Sequence, residues 1–220
     1  KAKEVSHFLA EKFYKTFVYS KPQEQSNETV SQLADFFVSS GYNIEETVVK
    51  LLSSKHFFDE PNYGVQIKSP LENLLGFSSH FETSTEQLQK WVVSFGQEPL
   101  NPPNVSGWKG YRSWITTKSL PTYIFVFNEI LKEQSDESVG NWAFNNMDNY
   151  DESYLLVEGI ALLFLGKIPD EIRLEKLHKV MLGGAPYYEW PDLAQNRSNA
   201  GIRLKALFKE MFRMPDFYLA

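Results

Sequence analysis

The sequence has 220 residues, a formal net charge of −6 at pH 7 and no cysteine. The lack of cysteine excludes disulfides, iron–sulfur clusters, thiolate zinc sites and cysteine nucleophiles. The acidic balance argues against nucleic-acid binding, and no apolar run reaches the ~20 residues that span a membrane. Aromatic residues make up 15% of the chain, which is unusually high and directs attention to aromatic surfaces.

Helical periodicity dominates the first third of the chain. The first predicted helix ends before Pro22, which disfavours helical geometry in the residue preceding it. A second helix begins near Ser26 and ends at Gly41, and a third is capped by Asn43. The apolar stripe predicted for the first helix consists of Val5, Phe8, Leu9, Phe13, Phe17 and Val18.

The middle of the chain contains two further predicted helices and a long irregular loop. Pro70 is placed as a first-turn proline, and Ser84 begins a helix that ends at Gly96. The stretch 97–110 is rich in proline and glycine and is predicted to lack regular structure. Helix resumes after Trp114.

The last third is predicted to hold three more helices, over 154–165, 170–182 and 194–214. No strand alternation of useful length occurs. The predicted fold is therefore all-α, an irregular bundle of about eight to ten helices with a long Pro/Gly-rich loop. The predicted organisation is a helical core over 1–135, an acidic connector over 136–152 and a C-terminal lobe over 153–220. A single continuous domain is the alternative.

Four stretches, in this order along the chain, resemble a bacterial domain-of-unknown-function family, number 1800. They are the aromatic-basic helix Phe8–Val18, the helix end Leu51–Phe58, the segment Ile67–Glu72 and the string Pro-Pro-Asn-Val-Ser-Gly-Trp that ends at Trp108. The last string is the most specific of the four.

The resemblance implies a biological setting but no activity. Members are typically twice as long, so this chain resembles the C-terminal half, and the missing N-terminal half is an expected partner. Members are usually exported from bacterial cells, which implies an extracytoplasmic location in the periplasm or at the cell surface. A co-encoded exported protein is a further expected partner.

The long loop is the first candidate binding site. Two prolines stiffen its backbone, and aromatic residues with polar neighbours follow, an arrangement suited to sugar rings or a peptide. The alternative is that the tryptophans anchor a long loop to the core. The candidate residues are Asn104, Trp108, Tyr111, Arg112 and Trp114.

A second aromatic cluster lies between two prolines near the end of the chain. Tyr187, Tyr188 and Trp190 are candidate ligand-binding residues, because loop aromatics are common at interaction surfaces. The alternative is a loop folded onto the last helices.

Evidence for catalysis in the sequence is weak. Lys68, Glu72 and His7 are the acid–base candidates, while a helix cap with an ion pair is the structural alternative for Lys68 and Glu72. His56 with Asp59 has the spacing of two metal ligands but lacks a third, so neither a metal nor a cofactor is predicted.

These observations predict a non-catalytic binding or assembly module that engages a glycan or a partner protein through the aromatic loop. The alternative is a hydrolase of envelope polymers that uses Lys68, Glu72 and His7. Whether the protein is an enzyme is left open by the sequence.

Overall fold

The computed structural model describes residues 2–22 and 26–220, and its fold is all-α. Eleven α-helices lie in these ranges, joined by turns and short 3-10 helices. One isolated antiparallel bridge joins Ile67 and Leu219. The predicted all-α fold class is thus confirmed. Among the described residues, no helix is long and apolar enough to cross a membrane.

The chain divides into two compact units, residues 1–66 and 67–220. The first contains α1 (Ala2–Phe17), α2 (Asn27–Ser39) and α3 (Ile44–Leu52). Its small core includes Ala10, Tyr14 and Val18 from one side of α1 and its extension. The buried line therefore runs at intervals of four residues. Val5 and Phe8, which were expected in the apolar stripe, are exposed.

The second unit has its own, larger core. Its helices are α4 (Pro70–Ser78), α5 (Thr85–Ser94), α6 (Ser119–Glu133), α7 (Asp136–Asn146), α8 (Ser153–Leu165), α9 (Glu171–Leu182), α10 (Trp190–Gln195) and α11 (Arg197–Met211). Phe77 on α4 is fully buried and lies at the centre of an aromatic cluster. Its ring contacts Phe81, Phe127, Phe164, Phe208, Phe212 and Phe217.

The predicted connector 136–152 does not separate the units. Their boundary lies between Gln66 and Ile67 instead. Most of the connector is α7, whose Asp136 and Glu137 occupy the first helical turn, where the helix dipole favours negative charge. Acidic residues that resemble a solvated linker in the sequence are therefore a helix start.

Two glycines bring α7 and α11 into unusually close contact. A Cβ on Gly140 would lie 2.0 Å from the carbonyl oxygen of Arg197, and one on Gly201 would lie 1.7 Å from that of Asp136. Both distances are far inside van der Waals contact. Only glycine at these positions allows the backbones to approach so closely.

Candidate functional site

Three exposed tyrosines form a continuous aromatic surface in the second unit. Tyr154 lies in the first turn of α8, while Tyr187 and Tyr188 lie in the short 3-10 helix Tyr187–Glu189. Their exposed fractions are 48%, 60% and 68%. The ring centroids are 6.2 Å apart from Tyr154 to Tyr187 and 5.8 Å apart from Tyr187 to Tyr188. We call these three residues the tyrosine surface.

The buried residue His178 packs against the tyrosine surface. The His178 ring on α9 stacks on Tyr154 with a centroid distance of 3.6 Å, and its Nε2 lies 2.9 Å from the Ser153 hydroxyl. Burial lowers the pKa of His178, although the charge of Glu175 opposes this shift. The ring is therefore neutral at pH 7, and its two contacts fix the position of Tyr154.

The edge of the tyrosine surface carries a balanced pair of charges. Lys179 Nζ lies 2.8 Å from the Glu175 carboxylate, and it also interacts electrostatically with Tyr154. Both partners line a shallow cavity of about 500 Å³ on α9, together with the exposed Ile172. Aromatic faces beside a neutral polar edge can pack against a ring and hydrogen-bond its hydroxyl groups.

Of the three aromatic candidates between the prolines, Tyr187 and Tyr188 are exposed and the third is not. Trp190 was predicted to bind ligand, but it is fully buried. Its indole N–H donates to the Tyr150 carbonyl at 2.8 Å. It is a core residue that holds α10 in place, because a buried indole needs a hydrogen-bond acceptor.

The tryptophans of the long loop are partly buried and attach it to the helices. The Trp108 indole donates to the carbonyl of Gly96, which follows α5, at 2.9 Å. The Trp114 carbonyl accepts from the Tyr123 hydroxyl at 3.0 Å. Burial raises the pKa of that tyrosine to about 12, so it stays a donor. The structure thus gives both tryptophan residues an anchoring contact.

The remaining loop candidates are close to the surface. Asn104 is exposed and accepts from the Ser106 N–H at 2.8 Å, which forms a local turn. The exposed Arg112 places its guanidinium carbon 5.4 Å from the centroid of the Tyr111 ring.

The long loop has a strained backbone near each of its ends, and we call its exposed residues Leu100 and Val105 the loop tip. Leu100 and Tyr111 have φ angles of +66° and +51°, which only glycine adopts without cost. Leu100 and Val105 are fully exposed, so neither gains from burial. Strain at exposed loop positions is typical of segments that meet another molecule.

The acid–base candidates are divided between the units. His7 is exposed on α1 in the first unit, whereas Lys68 and Glu72 lie at the start of α4 in the second. Glu72 forms a capping box with Ser69, whose N–H donates to Oε2 at 2.6 Å. Lys68 and Glu72 line a cavity of about 270 Å³, and the histidine of that cavity is His80.

Sequence reasoning missed Tyr154, Asn73 and His80. A signal for His80 was present, because Glu72, Gly76 and His80 follow one another at intervals of four, although α4 ends at Ser78 and His80 lies just beyond it. No comparable signal marks Tyr154, which the sequence places in an apolar helix.

Metal-binding geometry is lacking in the described ranges, where no three His, Asp or Glu side chains converge. His56 Nδ1 lies 3.3 Å from the Asp59 carboxylate, and its Nε2 lies 2.9 Å from the Tyr14 hydroxyl. The histidine spacing noted in the sequence thus gives a hydrogen-bonded chain inside the first unit.

Comparison with known proteins gives one result. Neither the curated proteins nor the solved structures contain a match to this chain. The family model described as "Protein of unknown function (DUF1800)" matches residues 1–219. Because the match extends over nearly the whole sequence, the chain belongs to the DUF1800 family.

Proposed function

We propose that this chain is a non-catalytic binding module that holds a glycan on the tyrosine surface. The observation that carries the proposal is the exposure of three adjacent tyrosine rings, one of them fixed by the buried His178. Exposed aromatic side chains with few rotatable bonds lose little entropy when they bind, so they suit a ligand with flat apolar faces.

The charge of the surface favours a neutral sugar over an acidic polymer. The chain carries a net charge of −6, and the Glu175–Lys179 pair adds no net charge at the edge. A polyanion would be repelled by this field. The C–H face of a sugar ring packs on tyrosine, while its hydroxyl groups meet the tyrosine hydroxyls and the charged pair.

A glycan array tests this proposal. We expect the purified chain to bind a neutral glycan, and the double change Tyr187→Ala with Tyr188→Ala to weaken that binding at least tenfold, about 1.4 kcal/mol. Phe125→Ala is the matched control, because Phe125 is 61% exposed on α6 and outside the tyrosine surface. Absence of binding to every glycan by the native chain would contradict the proposal.

A second candidate function is the docking of a partner protein on the loop tip. The exposed Leu100 and Val105 on a proline-stiffened, anchored backbone favour it, since preorganisation lowers the entropic cost of association. We expect Leu100→Asp with Val105→Asp to leave stability unchanged and to abolish co-elution with a co-encoded exported protein, the partner that the family resemblance implies. Unaltered co-elution would remove this candidate.

The hydrolase alternative gains less from the structure. Its carboxylate, Glu72, is already engaged as the helix cap, and His7 belongs to the other unit. We therefore propose binding, and not hydrolysis, as the function of this chain. We also propose the extracytoplasmic bacterial location that the family resemblance implies.

A further inference from the structure

The cavity at the start of α4 contains a buried polar atom without a partner. Asn73 is only 4% exposed, and its Nδ2 donates to the carbonyl oxygens of Lys68 and Ser69 at 3.3 Å each. These two acceptors fix the orientation of the amide. Within the described ranges the acceptor Oδ1 has no hydrogen-bond partner, although Asn73 lines the cavity. Native proteins rarely leave a buried acceptor unpaired, so this atom points to a ligand.

The same cavity contains a partly buried lysine. Lys68 Nζ donates to the Phe217 carbonyl at 3.3 Å, which leaves two of its three N–H groups available. Burial lowers the pKa of Lys68, and the negative charge of Glu72 opposes this shift. No ion pair joins these two side chains among the described residues. An amine removed from water in this way is stabilised by an acceptor that carries negative charge.

The remaining walls restrict the size and the charge of what fits. At about 270 Å³ the cavity is smaller than most drug-sized ligand sites. Phe77, Phe164 and Phe217 supply apolar surface. Burial lowers the pKa of His80, so its imidazole is neutral at pH 7. One positive and one negative charge therefore line the cavity, which disfavours a multiply charged anion.

We propose that this cavity binds a small carboxylate with a hydrogen-bond donor on the adjacent carbon, an α-amino acid above all. The carboxylate accepts from Lys68 Nζ, and the ammonium group donates to Asn73 Oδ1. Glu72 lines the same cavity and favours the ammonium over the hydroxyl of an α-hydroxy acid. This inference does not rest on the glycan proposal, which concerns other residues.

Calorimetric titration of the whole chain with four small probes tests the inference. We expect alanine, in one enantiomer, to bind most tightly, lactate more weakly, and propionate and ethylamine at least tenfold more weakly than alanine. Propionate lacks the donor for Asn73, and ethylamine lacks the carboxylate for Lys68. Equal affinity for alanine and propionate, or no binding of any probe at millimolar concentration, would overturn it.

Substitution of the lysine gives an independent test. Lys68→Met keeps the length of the side chain and removes its charge, so alanine affinity should fall at least tenfold. Lys132→Met, at a lysine that is 74% exposed on α6, is the matched control and should bind like the native chain. Unchanged affinity in Lys68→Met would overturn the inference. If that variant does not fold, the ranking of the four probes by the native chain decides alone.

The pH dependence of binding adds a readout that packing alone would not give. Lactate is the probe for this measurement, because it has no group that changes charge between neutral pH and the ordinary lysine value, whereas the ammonium group of alanine loses its proton in that range. Affinity for lactate should fall as the pH rises through the lowered pKa of Lys68, and therefore below the ordinary lysine value of 10.5. A lactate affinity that stays constant up to that value would show that the Lys68 ammonium is not the partner of the carboxylate.

Discussion

At the scale of single residues, the protonation of His178, which supports Tyr154, makes the stability of the folded chain depend on pH. Because burial lowers its pKa below the ordinary value of 6.5, the folded chain binds fewer protons than the unfolded chain just below that pH. Its contribution to stability is therefore complete above about pH 6.5 and is lost as the pH falls through the lowered pKa. Burial shifts the pKa of His80 in the same direction.

We expect the free energy of unfolding, measured by urea denaturation, to decrease between pH 7.5 and pH 5.5. His178→Gln should reduce this decrease, and His80 should account for what remains. A native chain that is equally stable at both pH values would contradict the neutral state at pH 7 of the imidazole rings of His178 and His80.

At the scale of helices, the contact between α7 and α11 depends on two glycines. Gly140→Ala or Gly201→Ala would place a methyl group within 2.0 Å of a backbone carbonyl oxygen, which cannot rotate away. We expect each change to cost about 3 kcal/mol or more, because the helices must move apart.

Gly76→Ala is the matched control for this contact. It also lies inside a helix, but a Cβ there meets nothing within 4 Å. We expect it to raise the free energy of unfolding by about 0.5–1 kcal/mol, since alanine is the better helix former. Similar effects of all three substitutions in thermal unfolding would contradict the close packing of α7 on α11.

Helix boundaries were the part of the structure most open to prediction. Ser69, Pro70 and Glu72 form a local cap that depends only on residues close in sequence, and Asn43 likewise caps α3. Burial was harder, because it depends on residues distant in the chain. Trp190 and Tyr188 are two positions apart, yet one is fully buried and the other is exposed.

The candidate site was predictable only in part for the same reason. Tyr187 and Tyr188 stood out as aromatics between prolines. Tyr154 reaches them from α8, more than thirty residues earlier in the chain, and its support by His178 on α9 is a tertiary contact. The Asn73 amide became a candidate only when its one acceptor atom, Oδ1, proved to be unpaired.

At the scale of the whole molecule, the high aromatic content has two uses. Most phenylalanines that contact one another belong to the core around Phe77, whereas the adjacent rings of the tyrosine surface are exposed. The tyrosine surface, the loop tip and the cavity at the start of α4 all lie within residues 67–220. The three sites that we propose for ligands or partners therefore all belong to the second unit.

The most direct test of this account compares the affinity of four proteins for the best neutral glycan of the array. The native chain, Phe125→Ala and Trp108→Ala should bind alike, although the last should be less stable because it loses the bond to Gly96. The double change Tyr187→Ala with Tyr188→Ala should bind at least tenfold more weakly. Loss of binding in Trp108→Ala together with native affinity in the tyrosine variant would contradict the account and return the site to the loop.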